Sequence, residues 1–283
     1  MSDRSLPLPG GRRLALGGRA VVMGVVNVTP DSFYPGSRVG DPAAAVDVVS
    51  AMVAAGAAVI DVGGESTRPG AEYVGADEEA ARVVPVIEAI RSRWDVAISV
   101  DTRKELVAQA ALDAGADIVN DIAALLDDEA LAPLCAARGV PVVLMHKKGV
   151  PANMQAAPLY TDCVSEVRDF LVAAAERAIA MGIAPDRIVI DPGIGFGKRL
   201  EDNLALLSRL DELAATGYPV LVGLSRKSFI GTITGAAPGE RLPGSLAAAC
   251  AARSRGAVIF RVHDVAETVA ALAVFDASTG AGR

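Results

Sequence analysis

Residues 97–121 read AISVDTRKELVAQAALDAGADIVND. A short apolar run, 97–100, stops at Asp101. An Ala/Leu-rich amphipathic stretch follows over 104–114, and Ala-Gly-Ala ahead of Asp117 suits a helix C-cap that turns into a strand. The second run, 117–121, ends on Asn120 and Asp121. Continuous apolar runs of this kind are expected where a parallel sheet is covered on both faces, so the stretch reads as strand, helix, strand.

The same unit repeats in both directions. Apolar runs occupy 21–28, 58–63, 97–100, 117–121, 141–145, 188–190, 219–224 and 257–262, with helix candidates at 42–55, 77–92, 104–114, 162–181, 200–216 and 243–255. Ala-Gly-Ala also precedes the run that contains Val59. Eight strands alternating with helices in 283 residues predict an α/β fold, a (β/α)8 TIM barrel. A doubly wound open sheet is the alternative. No low-complexity linker divides the chain, so the reading is a single domain over 20–283 behind an N-terminal lead, 1–19.

Hydrophobic residues make up 52% and charged residues 22%, which excludes a disordered chain. Aromatics are only 4%, so Ala, Val, Leu and Ile must build the core. The formal net charge of −7 argues against a nucleic-acid or anionic-membrane surface, yet leaves room for a small basic pocket. Cys135, Cys163 and Cys250 are widely spaced, with no CxxC pair, which argues against disulfides and structural zinc. No signal-peptide core and no run of about 20 apolar residues is present. A cytoplasmic protein is the expectation.

Polar residues cluster where the apolar runs end: Asn27, Asp101, Asn120, Asp121, His146, Asp191, Ser225 and His263. In a barrel those ends form the face that carries active sites. Asp101, Asn120 and Asp191 suit a heterocycle edge of alternating donors and acceptors, if their strands converge; a water-filled mouth with ordinary hydrogen bonds is the plainer alternative. Lys227, Arg261 and His263 form a separate cationic cluster fit for a phosphate group. Arg261 and His263 share one phase of their strand. Lys227 alone would also suit a Schiff-base enzyme. The Gly193-Ile-Gly-Phe-Gly197 turn does not match the dinucleotide fingerprint, and no GxxxxGK[ST] loop occurs.

Seven phrases then carry a resemblance: NVTPDSF (27–33), GGESTRPG (63–70), SVDT (99–102), IVND (118–121), DPGIGFGK (191–198), GLSRKSF (223–229) and FRVHDV (260–265). In this order they resemble the dihydropteroate synthases of the folate pathway, from about Val21 to Val269. The resemblance implies a homodimeric barrel enzyme that joins 4-aminobenzoate to a dihydropterin bearing a CH2-diphosphate. It places the pterin on Asp101, Asn120, Asp191 and Lys227, flanked by Met145 and Phe196, with Gly223 in the same substrate site. It places the diphosphate on Asn27, Arg261 and His263, with Mg2+ near Asn27. The aminobenzoate side falls on Thr67, Arg68, Pro69 and Ser228 with Phe33. Asp101, Asp191, Lys227, Arg261 and His263 are the expected catalytic set.

Two segments depart from the family pattern. Tyr34-Pro35-Gly36-Ser37 stands where many members carry an acidic residue and Gly-Gly, so no carboxylate acts at position 35. Lys147-Lys148-Gly149 is more basic than usual and reads as a solvated loop. A catalytically idle pterin-binding relative would lack part of the diphosphate cluster, and a methyltetrahydrofolate-linked methyltransferase would have no use for it.

Overall fold

The chain opens with an antiparallel hairpin, β1 (Ser5–Pro7) paired with β2 (Arg13–Ala15). Eight parallel strands follow: β3 (Val21–Asn27), β4 (Val59–Gly63), β5 (Ala97–Asp101), β6 (Ile118–Asp121), β7 (Val142–Met145), β8 (Ile188–Asp191), β9 (Val220–Val222) and β10 (Ala257–Val262). They hydrogen-bond in sequence order, and β10 returns to pair with β3, closing a barrel and excluding an open sheet. This is a computed structural model, and it describes residues 4–28, 42–66, 73–149 and 158–280.

Helices α1 (Pro42–Ala54), α2 (Ala76–Arg91), α3 (Glu105–Asp113), α4 (Leu131–Arg138) and α5 (Cys163–Ala180) cover the first half of the barrel wall. The second half carries α6 (Leu200–Ser208), α7 (Leu210–Ala214), α8 (Ser228–Thr234), α9 (Leu242–Arg253) and α10 (Val265–Thr279). The single helix predicted over 200–216 is therefore two. Arg209, at φ −119° and ψ 27°, leaves the helical region, and its guanidinium is held by Asp162 and Glu212.

Side-chain alternation along each strand sorts the apolar residues into two cores. Val22, Ile60, Ile98, Val119, Leu144, Ile190, Val222 and Phe260 point outward into the helix layer. Met23, Val59, Ala97, Ile118, Val143, Val189, Leu221 and Ile259 point inward and form the barrel floor. The hairpin closes that floor from below with Leu6, Leu8, Leu14 and Leu16, all buried against the inner core. Burying a leucine contributes about 2 kcal/mol, so this plug adds substantially to the floor. Ion pairs lock it in place: Asp117, at the start of the β6 segment, accepts from Arg12 of the hairpin, from Arg91 of α2 and from the Ile98 amide.

Candidate active site

Two residues above the floor, the inward positions turn polar. On β4 Val59 is followed by Asp61; on β5 Ala97 by Ser99 and Asp101; on β6 Ile118 by Asn120; on β8 Val189 by Asp191; on β10 Ile259 by Arg261 and then His263. Parallel register sets Asp61 beside Ser99, and Asp101 beside Asn120. Arg261 reaches across this level. Its Nε donates to Asp61 Oδ2 at 2.6 Å and its terminal nitrogen to Asp101 Oδ2 at 2.7 Å. Asn120 Nδ2 donates to Asp61 Oδ2 at 3.3 Å.

One guanidinium thus serves two buried carboxylates, and the electrostatics follow from that count. Burial pushes the Asp101 carboxyl up to about 7, against the attraction of Arg261 and with the help of the nearby negative charges of Asp61, Glu79 and Asp121. Burial opposes the Arg261 charge too, but Asp61 and Asp101 outweigh it and hold the guanidinium above its ordinary value. The expectation of a separate cationic cluster needs correction here. Arg261 is already paired with the acids of the heterocycle side, because a guanidinium brought inside a barrel requires carboxylate partners.

Asp191 ends β8 and accepts the Gly193 amide at 2.7 Å; burial raises its carboxyl, opposed by that hydrogen bond and by the charges of Lys227, Lys198 and Arg261. The loop that follows is folded tightly on its neighbours. Gly193 sits at φ +65°, and a Cβ there would lie 2.0 Å from the His146 carbonyl oxygen, so only glycine fits. Lys198 holds the loop from beneath. Its buried ammonium group reaches His146 Nδ1 at 2.9 Å and donates to the carbonyls of Gly193 and Phe196 at 3.0 and 3.1 Å. Burial, with further repulsion from Lys227, lowers the Lys198 ammonium to about 7. Burial and Lys198 drive the His146 imidazole down to about 3.

Above these residues lies a cleft of about 500 Å³, counting space open to solvent. It brings together Asp101, Asn120, Met145, Asp191, Phe196, Gly223, Lys227, Arg261 and His263 of the predicted site, along with Ser225. Lys227 Nζ lies 4.1 Å from the centre of the Phe196 ring, a cation–π distance. His263 Nδ1 meets Ser225 Oγ at 3.0 Å. Asn27 lies at the rim beside Gly63 and Asp101 without lining the cleft. Ser228 is exposed on the first turn of α8, next to Lys227 and outside the lining. Phe33, Thr67, Arg68 and Pro69 lie outside the described residues, as does the segment 34–37. His146 and Asp121, both at strand ends, turn elsewhere; Asp121 accepts the amides of Ala123 and Leu125 to shape the β6 loop. Lys148 and Gly149 are exposed, but the Lys147 side chain is only 13% exposed, with its ammonium 2.8 Å from Asp127.

Comparison with known proteins gives the site its context. A family model described as pterin binding enzyme matches residues 23–263. The dihydropteroate synthase of Escherichia coli K12 is 49% identical over 260 residues, covering 92% of each chain. The chain belongs to the dihydropteroate synthase family. A Yersinia pestis dihydropteroate synthase solved with a sulfonamide drug superposes at a TM-score of 0.93, with 44% identity and coverage of 98% of this chain and 99% of that one. A Xanthomonas albilineans dihydropteroate synthase in complex with 7,8-dihydropteroate gives 0.87 at 44% identity, covering 97% and 98%. As a family member the chain is a transferase, and its activity is dihydropteroate synthesis.

Three residues that shape this family member's site escape a search for polar strand ends. Asp61 sits mid-strand, and only its phase, two after the floor residue Val59, marks it as inward. Lys198 lies beyond the Gly-rich turn and acts from below it. Arg226 stands between two cleft residues and points away from them.

Proposed function

We propose that the chain joins 4-aminobenzoate to a dihydropterin bearing a CH2-diphosphate, with Asp101, Asn120 and Asp191 holding the pterin deep in the cleft. Lys227, over the Phe196 ring, joins the pterin side, while His263 and Arg261 face the diphosphate end. The observation that carries this division is the convergence of all six side chains on one cleft at the mouth of the barrel. The nitrogen of 4-aminobenzoate attacks the methylene carbon, the CH2–O bond breaks with its electron pair leaving on diphosphate, and the amine proton is lost to solvent. An arylamine is already neutral at pH 7, so no strong base is required before attack. The harder step is loss of diphosphate, and cationic side chains at the rim stabilise its departing charge. Positive charge that develops on the pterin methylene faces the carboxylates of Asp101 and Asp191, which favours a dissociative path.

The reading includes Mg2+. Among the described residues no three His, Cys, Asp or Glu side chains form a metal cage. Asn27 instead offers one amide oxygen at the rim. A single neutral donor fits a Mg2+ that keeps most of its waters and is shared with substrate phosphates. When bound, the ion would offset diphosphate charge. The Phe33, Thr67, Arg68, Pro69 and Ser228 positions are assigned to 4-aminobenzoate by family resemblance. A homodimer rests on the same resemblance, a cytoplasmic location on the sparse, widely spaced cysteines, and sulfonamides are the matching inhibitor class. Among the described residues no helix is long and apolar enough to cross a membrane.

The test is a coupled assay of diphosphate release from dihydropterin-CH2-diphosphate, 4-aminobenzoate and Mg2+. Release that depends on both organic substrates is expected, and none above the enzyme-free control would overturn the reading. Isotope labelling of the methylene checks the path separately: a tight, associative transition state would contradict the dissociative step.

A further inference from the structure

Between Ser225 and Lys227, both in the cleft, Arg226 adopts φ +55°, a left-handed backbone that a non-glycine side chain rarely takes. A conformation of this kind persists only where its surroundings over-determine it, and it concentrates at functional sites. Here the over-determination is visible. The Arg226 amide donates to Ser245 Oγ of α9 at 2.9 Å, and Arg241 donates to the Arg226 carbonyl at 3.3 Å. The guanidinium, pointing away from the cleft, makes a two-point pair with Asp264: Nε to Oδ2 at 2.9 Å and a terminal nitrogen to Oδ1 at 2.8 Å. Its remaining nitrogen donates to the Gly239 carbonyl at 2.8 Å.

Asp264 directly follows His263, and Ser225 already contacts the His263 ring and amide. Two adjacent rungs therefore cross from the loop after β9 to the end of β10: Ser225 to His263 inside the cleft, and Arg226 to Asp264 behind it. We propose that Arg226 and Asp264 are positioning residues that hold the loop carrying Lys227 at a fixed distance and angle from the strand end carrying His263. Neither touches substrate. The left-handed residue lets consecutive side chains go opposite ways, Ser225 and Lys227 forward and Arg226 back into its carboxylate. The planar fork fixes both distance and angle, which one ammonium contact would not do.

The inference rests on the reading that Lys227 meets the pterin and His263 the diphosphate of one substrate, and the test separates the two. Calorimetry measures the Kd of dihydropterin-CH2-diphosphate with Mg2+, without 4-aminobenzoate, for the parent, Arg226→Lys, His263→Ala and the double variant. Arg226→Lys is expected to weaken binding roughly tenfold, within the loss that a misplacement of about an ångström produces. The further loss on adding it to His263→Ala is expected to be small, because the residue it positions is gone. Losses that multiply fully in the double variant would overturn the positioning role and leave the site reading intact. An unchanged Kd in His263→Ala would overturn the site reading itself. Should Arg226→Lys fail to fold, the isosteric Asp264→Asn replaces it in the same cycle; an unchanged Kd in either folded variant refutes the inference.

Discussion

Replacing Asp101 with Asn should make the unliganded protein more stable at pH 8 than the parent, with a much smaller advantage at pH 5. Asp101 is 7% exposed, and its carboxyl is pushed up to about 7 from a free-chain value of 3.8. Between those values the native state keeps a proton that the unfolded chain has lost. The parent therefore loses stability as pH rises through this window and stops losing it above about 7. The loss approaches about 1.4 kcal/mol per pH unit above pH 5 and fades around pH 7, on the order of 2 kcal/mol in all. The Asn variant has no proton to lose. Its amide oxygen can still accept from Arg261, whose charge remains matched by Asp61. Urea melts of both proteins at pH 5 and pH 8 give the comparison, with Asp121, raised to about 6, present and titrating in both. A variant advantage that is the same at both pH values would refute the reasoning, as would a variant that loses ground as pH rises. The variant should bind pterin poorly, the common trade of stability against function at a site.

Two other substitution experiments separate floor from mouth. Asp117→Asn breaks the pairs with Arg12 and Arg91 at the barrel floor and should cost about 3 kcal/mol in a urea melt while kcat and KM stay unchanged. Gly193→Ala and Gly223→Ala form a matched pair beside the cleft. The first places a Cβ 2.0 Å from the His146 carbonyl oxygen at φ +65°, and should lower both stability and pterin affinity. The second meets nothing within 4 Å and lines the cleft, so calorimetry should show weakened pterin binding with an unchanged melt.

The barrel was legible because its strands announce themselves twice, as apolar runs and as polar endings. Residues 97–121 contain β5, α3 and β6 within a residue or two of their observed limits. The cleft was legible for the same reason: Asp101, Asn120, Asp191 and His263 end their strands in phase with the inner face. What stayed hidden depends on direction rather than composition. His146 ends its segment like the others, but its ring turns outward to Phe170 and Lys198. Asp61 looks like one acid within a hydrophobic run until the register shows it facing Arg261. The hairpin escapes because its strands are three residues long, too short for periodicity to register, and its leucines gain their meaning only from the floor they cover.

The vertical order of the inner face also explains how an acidic protein can host a diphosphate site. The floor is apolar, Asp61, Asp101, Asn120 and Asp191 lie above it with Arg261 paired to Asp61 and Asp101, and Lys227 and His263 line the same cleft. On the proposed reading, a substrate that enters with its heterocycle first meets carboxylates at depth and cations nearer the rim, so its methylene carbon sits where the sign of the field changes. Breaking the CH2–O bond moves negative charge toward the rim and positive charge toward the acids, along that field. Asp101 ties this to the pH argument. Arg261 is shared with Asp61, so the second carboxylate is negative charge that burial makes costly in the empty barrel. Donor groups and positive charge on a bound pterin relieve that cost, and the relief grows as the reaction proceeds. The feature that lowers stability near neutral pH is thus the one that favours the charge-separated transition state over the empty site.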